Sequence, residues 1–196
     1  MPLKKFTHAD IVEAAFNITR KRGWEKCTAR AIAKELGSST MPIYSALKSM
    51  KNLENQIDQK AIDLLLSFQT RQRTGMVFLD MGVGYVLFAQ EEKNLFRKMY
   101  FSEIGKDKIL KLISTYRAYI FDQLLAFLKN DKMLKELSVK QKKDVLYRMW
   151  VFSHGLAVLL NNARVGPMKE TEITKFLMET GSLMISGQML GILEIK

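Results

Sequence analysis

Two histidines, His8 and His154, and a lone cysteine, Cys27, are the side chains here best suited to nucleophilic or acid–base work. Cys27 has no evident base beside it. The sequence shows no metal-ligand spacing and no glycine-rich phosphate loop. Catalysis needs a constellation that is not displayed, so neither an enzyme nor a metal or cofactor is expected. A single cysteine also excludes an intrachain disulfide framework. The more abundant chemistry is cationic. Lys and Arg number 31 against 20 Asp and Glu, a formal net charge of +11. Such a balance suits a polyanionic partner, because cations near phosphates release condensed counterions, although a solvated basic surface carries the same charge. Residues 1–54 hold ten Lys/Arg and five Asp/Glu, so positive charge is densest there.

The elements that must position these cations are legible in the same segment. Thr7 and Asp10 have capping-box spacing, and Ile11, Ala14, Ala15 and Ile18 mark one face of a first helix. Arg20, Lys21 and Arg22 suit its last turn, and Gly23 ends it. Thr28 caps a second helix through Leu36, with Gly37 as its stop. Ser39 is expected to cap a short third helix, Thr40 to Leu47, with Pro42 in its first turn. Ala33, Gly37 and Ile43 stand at helix-turn-helix spacing: a small residue for close approach, a glycine for the turn, an aliphatic for the angle.

From Phe6 to Leu53 the order of elements resembles the DNA-binding domain of the TetR family of bacterial transcriptional regulators. The residues that carry it are Ile11-Val12-Glu13-Ala14-Ala15, Gly23-Trp24, Thr28, Ile32-Ala33, Leu36-Gly37 and Ile43-Tyr44, with Ser49 and Leu53 opening the next helix. The resemblance covers about the first quarter of the chain. It implies that Thr40, Met41, Tyr44 and Ser45 face DNA, with Ser39 at the start of that helix. Thr28, Arg30 and Lys48 would then contact the backbone or a flanking base. Two positions depart from the family's pattern. Ser38 stands where an aliphatic residue is common, and Met50 where a phosphate-holding lysine is common; Lys48 or Lys51 would have to replace it.

Beyond residue 52 the sequence reads as helices without repeats or low-complexity tracts. They are expected at Met50–Arg73, Met76–Gln90, Glu92–Ser102, Lys106–Lys129, from a Ser138–Gln141 capping box to about Arg164, and at Glu170–Ile192. The apolar run Met76–Ala89 is short of the roughly 20 residues that span a bilayer, so a buried helix and no membrane partner are expected. No charged-then-apolar leader opens the sequence, and a cytoplasmic location is expected. Val145, Met149, Phe152, Ser153, Leu156, Leu159, Leu160 and Ala163 stripe one of the last two helices. Ile173, Phe176, Leu177, Gly181, Met184, Ile185 and Gln188 stripe the other.

The expected fold class is all-α. Residues 1–52 would be a three-helix helix-turn-helix DNA-binding domain, and residues 53–196 a larger helical effector-binding and dimerisation domain. The resemblance implies a homodimer through the last two helices, reading palindromic double-stranded DNA as a ligand-responsive repressor. It also implies a small apolar effector among the middle helices, for which Phe78, Met81, Tyr85, Phe88, Met99, Tyr116, Tyr119 and His154 are candidates. The alternative is a helical DNA-organising or adaptor protein without transcriptional control.

Overall fold

The first helix begins where its cap dictates. In the computed structural model of the chain, residues 6–47, 49–101, 125, 126, 128, 131–162 and 165–190 are described. The Asp10 amide donates to the Thr7 hydroxyl (3.2 Å) and the Thr7 amide to the Asp10 carboxylate (2.8 Å). Two amides that a helix start leaves orphaned thus find acceptors. Helix α1 runs His8–Arg22 and ends at Gly23, whose φ of 89° favours glycine.

A 3-10 turn, Trp24–Lys26, leads to Thr28, whose hydroxyl accepts from the Ala31 amide (3.2 Å) and opens α2, Ala29–Glu35. Gly37, at φ 62°, turns the chain into α3, Thr40–Ala46. Ser39 occupies the cap position of α3, but its side chain makes no capping hydrogen bond, against expectation. The reason is Pro42. It sits three residues on, where a cap usually finds its amide donor, and it has none.

Helix α4 spans Met50–Thr70 and is capped by Ser49, whose hydroxyl accepts from the Asn52 amide (3.0 Å). It stops before the expected Arg73, because the Arg73 and Thr74 amides donate to the buried Asp80 carboxylate instead (3.0 and 2.9 Å). Helices α5, Val77–Glu91, and α6, Lys93–Phe101, follow. The Ser138–Gln141 capping box opens α7, Val139–Asn161, and α8 is Glu170–Met189. Most of the expected 106–129 helix lies outside the described residues, as do Arg164 and Ile192. Among the described residues every regular element is helical and none is a strand. No helix among them is long and apolar enough to cross a membrane.

The chain divides into two compact units: Met1–Leu64 with Glu92–Ser102, and Leu65–Glu91 with Glu103–Lys196. These differ from segments 1–52 and 53–196, because α4 as far as Leu64 and all of α6 pack with α1. In the first unit Ile11, Ile32, Ile43, Leu53, Ile57 and Phe96 form the core. Polar side chains fasten α6 to it. The Arg20 guanidinium grips the buried Glu92 carboxylate through two nitrogens, and the Asn94 amide donates to the Arg20 carbonyl (3.0 Å). Buried Lys98 donates to Asp58 (2.6 Å), pairs with Glu54 (3.3 Å) and lies 5.0 Å from the centre of the Trp24 ring. Burial pushes the Asp58 carboxyl above its usual range, and the Lys98 hydrogen bond and charge offset this only in part. Burial also acts to raise Glu54, but the Lys51 hydrogen bond and Lys98 charge outweigh it and hold that carboxyl low.

In the second unit α5 is buried nearly all round and packs on α7 and α8. Its polar ends are tied down. Asp131, itself buried, accepts from the Phe78 amide (2.8 Å), and the Asn161 amide donates to the Ala89 carbonyl (3.0 Å). Gln90 exchanges two hydrogen bonds with the Met168 backbone (3.1 and 3.0 Å).

Candidate nucleic-acid interface

The surface that α2 and α3 present is set from below. Ile32, Ala33 and Ile43 are buried, and the left-handed Gly37 lets the Ser38 amide reach the Ala33 carbonyl (2.9 Å). With Ile43 pointing inward, helical geometry turns Met41, Tyr44 and Ser45 outward. All three are exposed, Met41 at 76% and Tyr44 at 66%, and Thr40 beside them is half-exposed. Ser39, Thr28 and Arg30 are exposed as well. Lys48 lies outside the described residues.

Hydrogen-bond bookkeeping narrows what each hydroxyl has left to offer. Thr28 spends a lone pair on capping, so its hydroxyl proton remains for an outside acceptor. Ser45 donates to the Met41 carbonyl (3.0 Å), which leaves it acceptor lone pairs only. Ser38 donates to the Ser39 carbonyl (2.8 Å). Arg30 and Lys34, one turn apart on α2, carry no ion pair among the described residues, nor do Lys21, Arg22 and Lys26. Arg20, Lys51, Lys60 and Lys98 are by contrast engaged with carboxylates.

Sequence reasoning missed the residue that steadies the end of α3. His8, noted only for its possible chemistry, places Nδ1 3.3 Å from the Ala46 carbonyl and Nε2 2.9 Å from Gln56 Oε1. Gln56 is held in turn by its amide donating to Asn52 Oδ1 (2.6 Å). A histidine at the first position of α1 thus links α3 to α4. Nothing in its local sequence signals a partner 38 or 48 residues away.

The other two reactive side chains are also built in. Cys27 is buried, and burial pushes its thiol up, with the Thr19 hydrogen bond and Lys98 charge offsetting this only in part. That disfavours the thiolate a nucleophile needs. Among the described residues no group of three His, Cys, Asp or Glu could hold a metal ion.

The candidate effector residues separate. Phe78, Met81, Tyr85 and Phe88 all lie on α5 and are buried in the second unit, while Met99 is buried in the first. Tyr116 and Tyr119 lie outside the described residues. His154 is half-buried on α7; its Nδ1 is 2.8 Å from the Tyr85 hydroxyl, and its ring stacks on Trp150 at 5.6 Å. Phe88 meets Phe68 edge-on, with ring centres 5.7 Å apart.

Burial lowers the His154 pKa below its ordinary value of 6.5. The unfolded chain therefore takes up this proton first as pH falls, and acid favours unfolding from about that value down to the folded-state value. Above the ordinary value both states are neutral and the group contributes nothing. The melting temperature is expected to fall between pH 7.5 and 5.5, and to fall less in His154→Gln. Equal slopes in the two proteins, followed by circular dichroism, would contradict this.

No protein-family model matches the chain, and no curated protein is similar enough to count as a relative.

Proposed function

We propose that the chain is a DNA-binding transcriptional regulator in which α2 and α3 act as a helix-turn-helix, as the resemblance to the TetR family implies. The observation that carries this reading is the division of α3 between a buried Ile43 and an exposed Met41, Tyr44 and Ser45 with a half-exposed Thr40, beside Arg30 and Lys34, which carry no ion pair among the described residues. Cations on α2 hold phosphates, and the outward side chains of α3 meet base edges in the major groove. Selection of genomic duplexes by the full-length chain is expected to enrich a palindrome. At fixed salt, Tyr44→Ala and Arg30→Ala are each expected to weaken binding to it about tenfold, the cost of one lost contact. Wild-type affinity in both variants would remove the basis of the assignment.

A palindromic target needs two copies of the chain, and α7 and α8 offer a surface for them. Val145, Met149, Leu160, Ile173 and Leu177 are consumed by the unit's own core. Leu159 (58% exposed) and Leu183 (75% exposed) are not, and Val151 and Phe176 are exposed beside them in sequence register. Burying such side chains in a partner contributes about 1.5–3 kcal/mol each. Leu159→Glu combined with Leu183→Glu is therefore expected to give a monomer in sedimentation at micromolar concentration, and an unchanged dimer would count against this face.

Control by an effector would act through the second unit, and one buried group there supports it. Gln69 is 6% exposed, its Nε2 reaches the Met81 carbonyl at 3.5 Å, and its Oε1 has no donor among the described residues. An unsatisfied buried acceptor costs about 1–3 kcal/mol, which a ligand bearing a donor would recover.

A further inference from the structure

From Leu36 to Leu47 the chain carries no charged or carboxamide side chain. The side chains that read purines bidentately (Arg, Lys, Asn and Gln) are therefore absent from α3 and its turn, as are the Asp and Glu that accept from cytosine. Ser45, its proton committed to the Met41 carbonyl, discriminates weakly. What α3 presents in quantity is apolar surface: the Met41 thioether and the Tyr44 ring, one turn apart on one face. The major groove offers one apolar group, the 5-methyl of thymine.

We propose, resting on the DNA reading above, that Met41 and Tyr44 select their target by packing on thymine methyl groups. The occupant of this face is then an A·T-bearing major groove, and the charge distribution favours it over an apolar protein groove. The face itself is uncharged, while Arg30 and Lys34 on the adjoining helix have no carboxylate partners among the described residues. A polyanion satisfies those cations, and an apolar protein surface does not. Residues three apart in a helix are separated by about 4.5 Å along its axis, and successive bases of one strand by about 3.4 Å. The two thymines therefore fall within one or two base pairs of each other in each half-site.

The test uses the full chain and the palindrome it selects from a random duplex library. Each thymine is replaced singly by 2′-deoxyuridine, which deletes the methyl and keeps every hydrogen-bonding group. At two positions per half-site affinity is expected to fall about fourfold, the value of one buried methyl. Met41→Ala is expected to abolish the difference at one of these positions, and Tyr44→Ala at the other. Both side chains are largely exposed, so both variants should keep the wild-type melting temperature. Equal affinity for thymine and uracil duplexes at every position, or selected half-sites without thymine, would overturn the inference and leave the DNA reading standing. Failure to enrich any duplex, or binding through this face to a second copy or another protein only, would overturn both.

Discussion

Gly84→Ala is expected to destabilise the second unit by ~3 kcal/mol, at the upper end of what overpacking costs. A Cβ on Gly84 would stand 2.1 Å from the Phe68 carbonyl oxygen, 2.5 Å from its carbon and 2.8 Å from Gln69 Cα. All three are backbone atoms of α4, so no rotamer change relieves the overlap. The helices must separate, and the Phe68–Phe88 edge contact and the Gln69–Met81 hydrogen bond would go with them. Gly155→Ala is the matched control. A Cβ there meets nothing within 4 Å, and alanine gains up to about 1 kcal/mol of helix propensity. Urea unfolding midpoints of the two variants should move in opposite directions. A Gly84→Ala protein as stable as wild type would mean that α4 and α5 do not pack this closely.

Asp80→Leu is expected to cost about 3 kcal/mol, because it removes the buried acceptor on which three part-buried donors converge. The carboxylate is 3% exposed and accepts from the Arg73 amide, the Thr74 amide and the Thr74 hydroxyl (3.0, 2.9 and 2.7 Å). These charge-assisted bonds tie the loop after α4 to the first turn of α5, where the helix dipole also favours a negative group. Asp80→Asn keeps one acceptor oxygen and should lose roughly half as much. Thermal unfolding that ranks wild type above Asn above Leu is the expected order. Asn no better than Leu would show that the charge, rather than the acceptor geometry, holds the loop.

The sequence made the local signals plain and the distant ones obscure. The capping boxes at Thr7 and Ser138, the Thr28 cap and the Gly23 and Gly37 stops all appear where their spacing puts them, because each is settled within a few residues. The inward Ala33 and Ile43 and outward Met41 and Tyr44 follow from helical periodicity alone. Ser39 failed as a cap through a conflict that was local and readable, since Pro42 supplies no amide. Long-range pairings left no such trace. Nothing near Asp80 announces that it will end α4 early, nothing at Asp131 foretells the Phe78 amide, and Gly82 and Gly84 look alike although only Gly84 touches a backbone. The aromatics of α5 read equally well as pocket or core, because both demand the same apolar side chains at the same period.

The membership of α6 in the first unit bears on how such a unit can be exchanged between genes. The segment bearing the α3 face is not contiguous: residues 65–91 interrupt it, and Leu95, Phe96 and Met99 return to complete its core. A cut after residue 64 would strand Glu54 and Asp58 without Lys98, and would uncover the apolar surface that Phe96 seals. Single-crossover recombination therefore cannot graft this head intact onto another body. Changes to the surface at Met41, Tyr44 and their neighbours would have to arise by point substitution, in place, with the interrupting segment carried along each time.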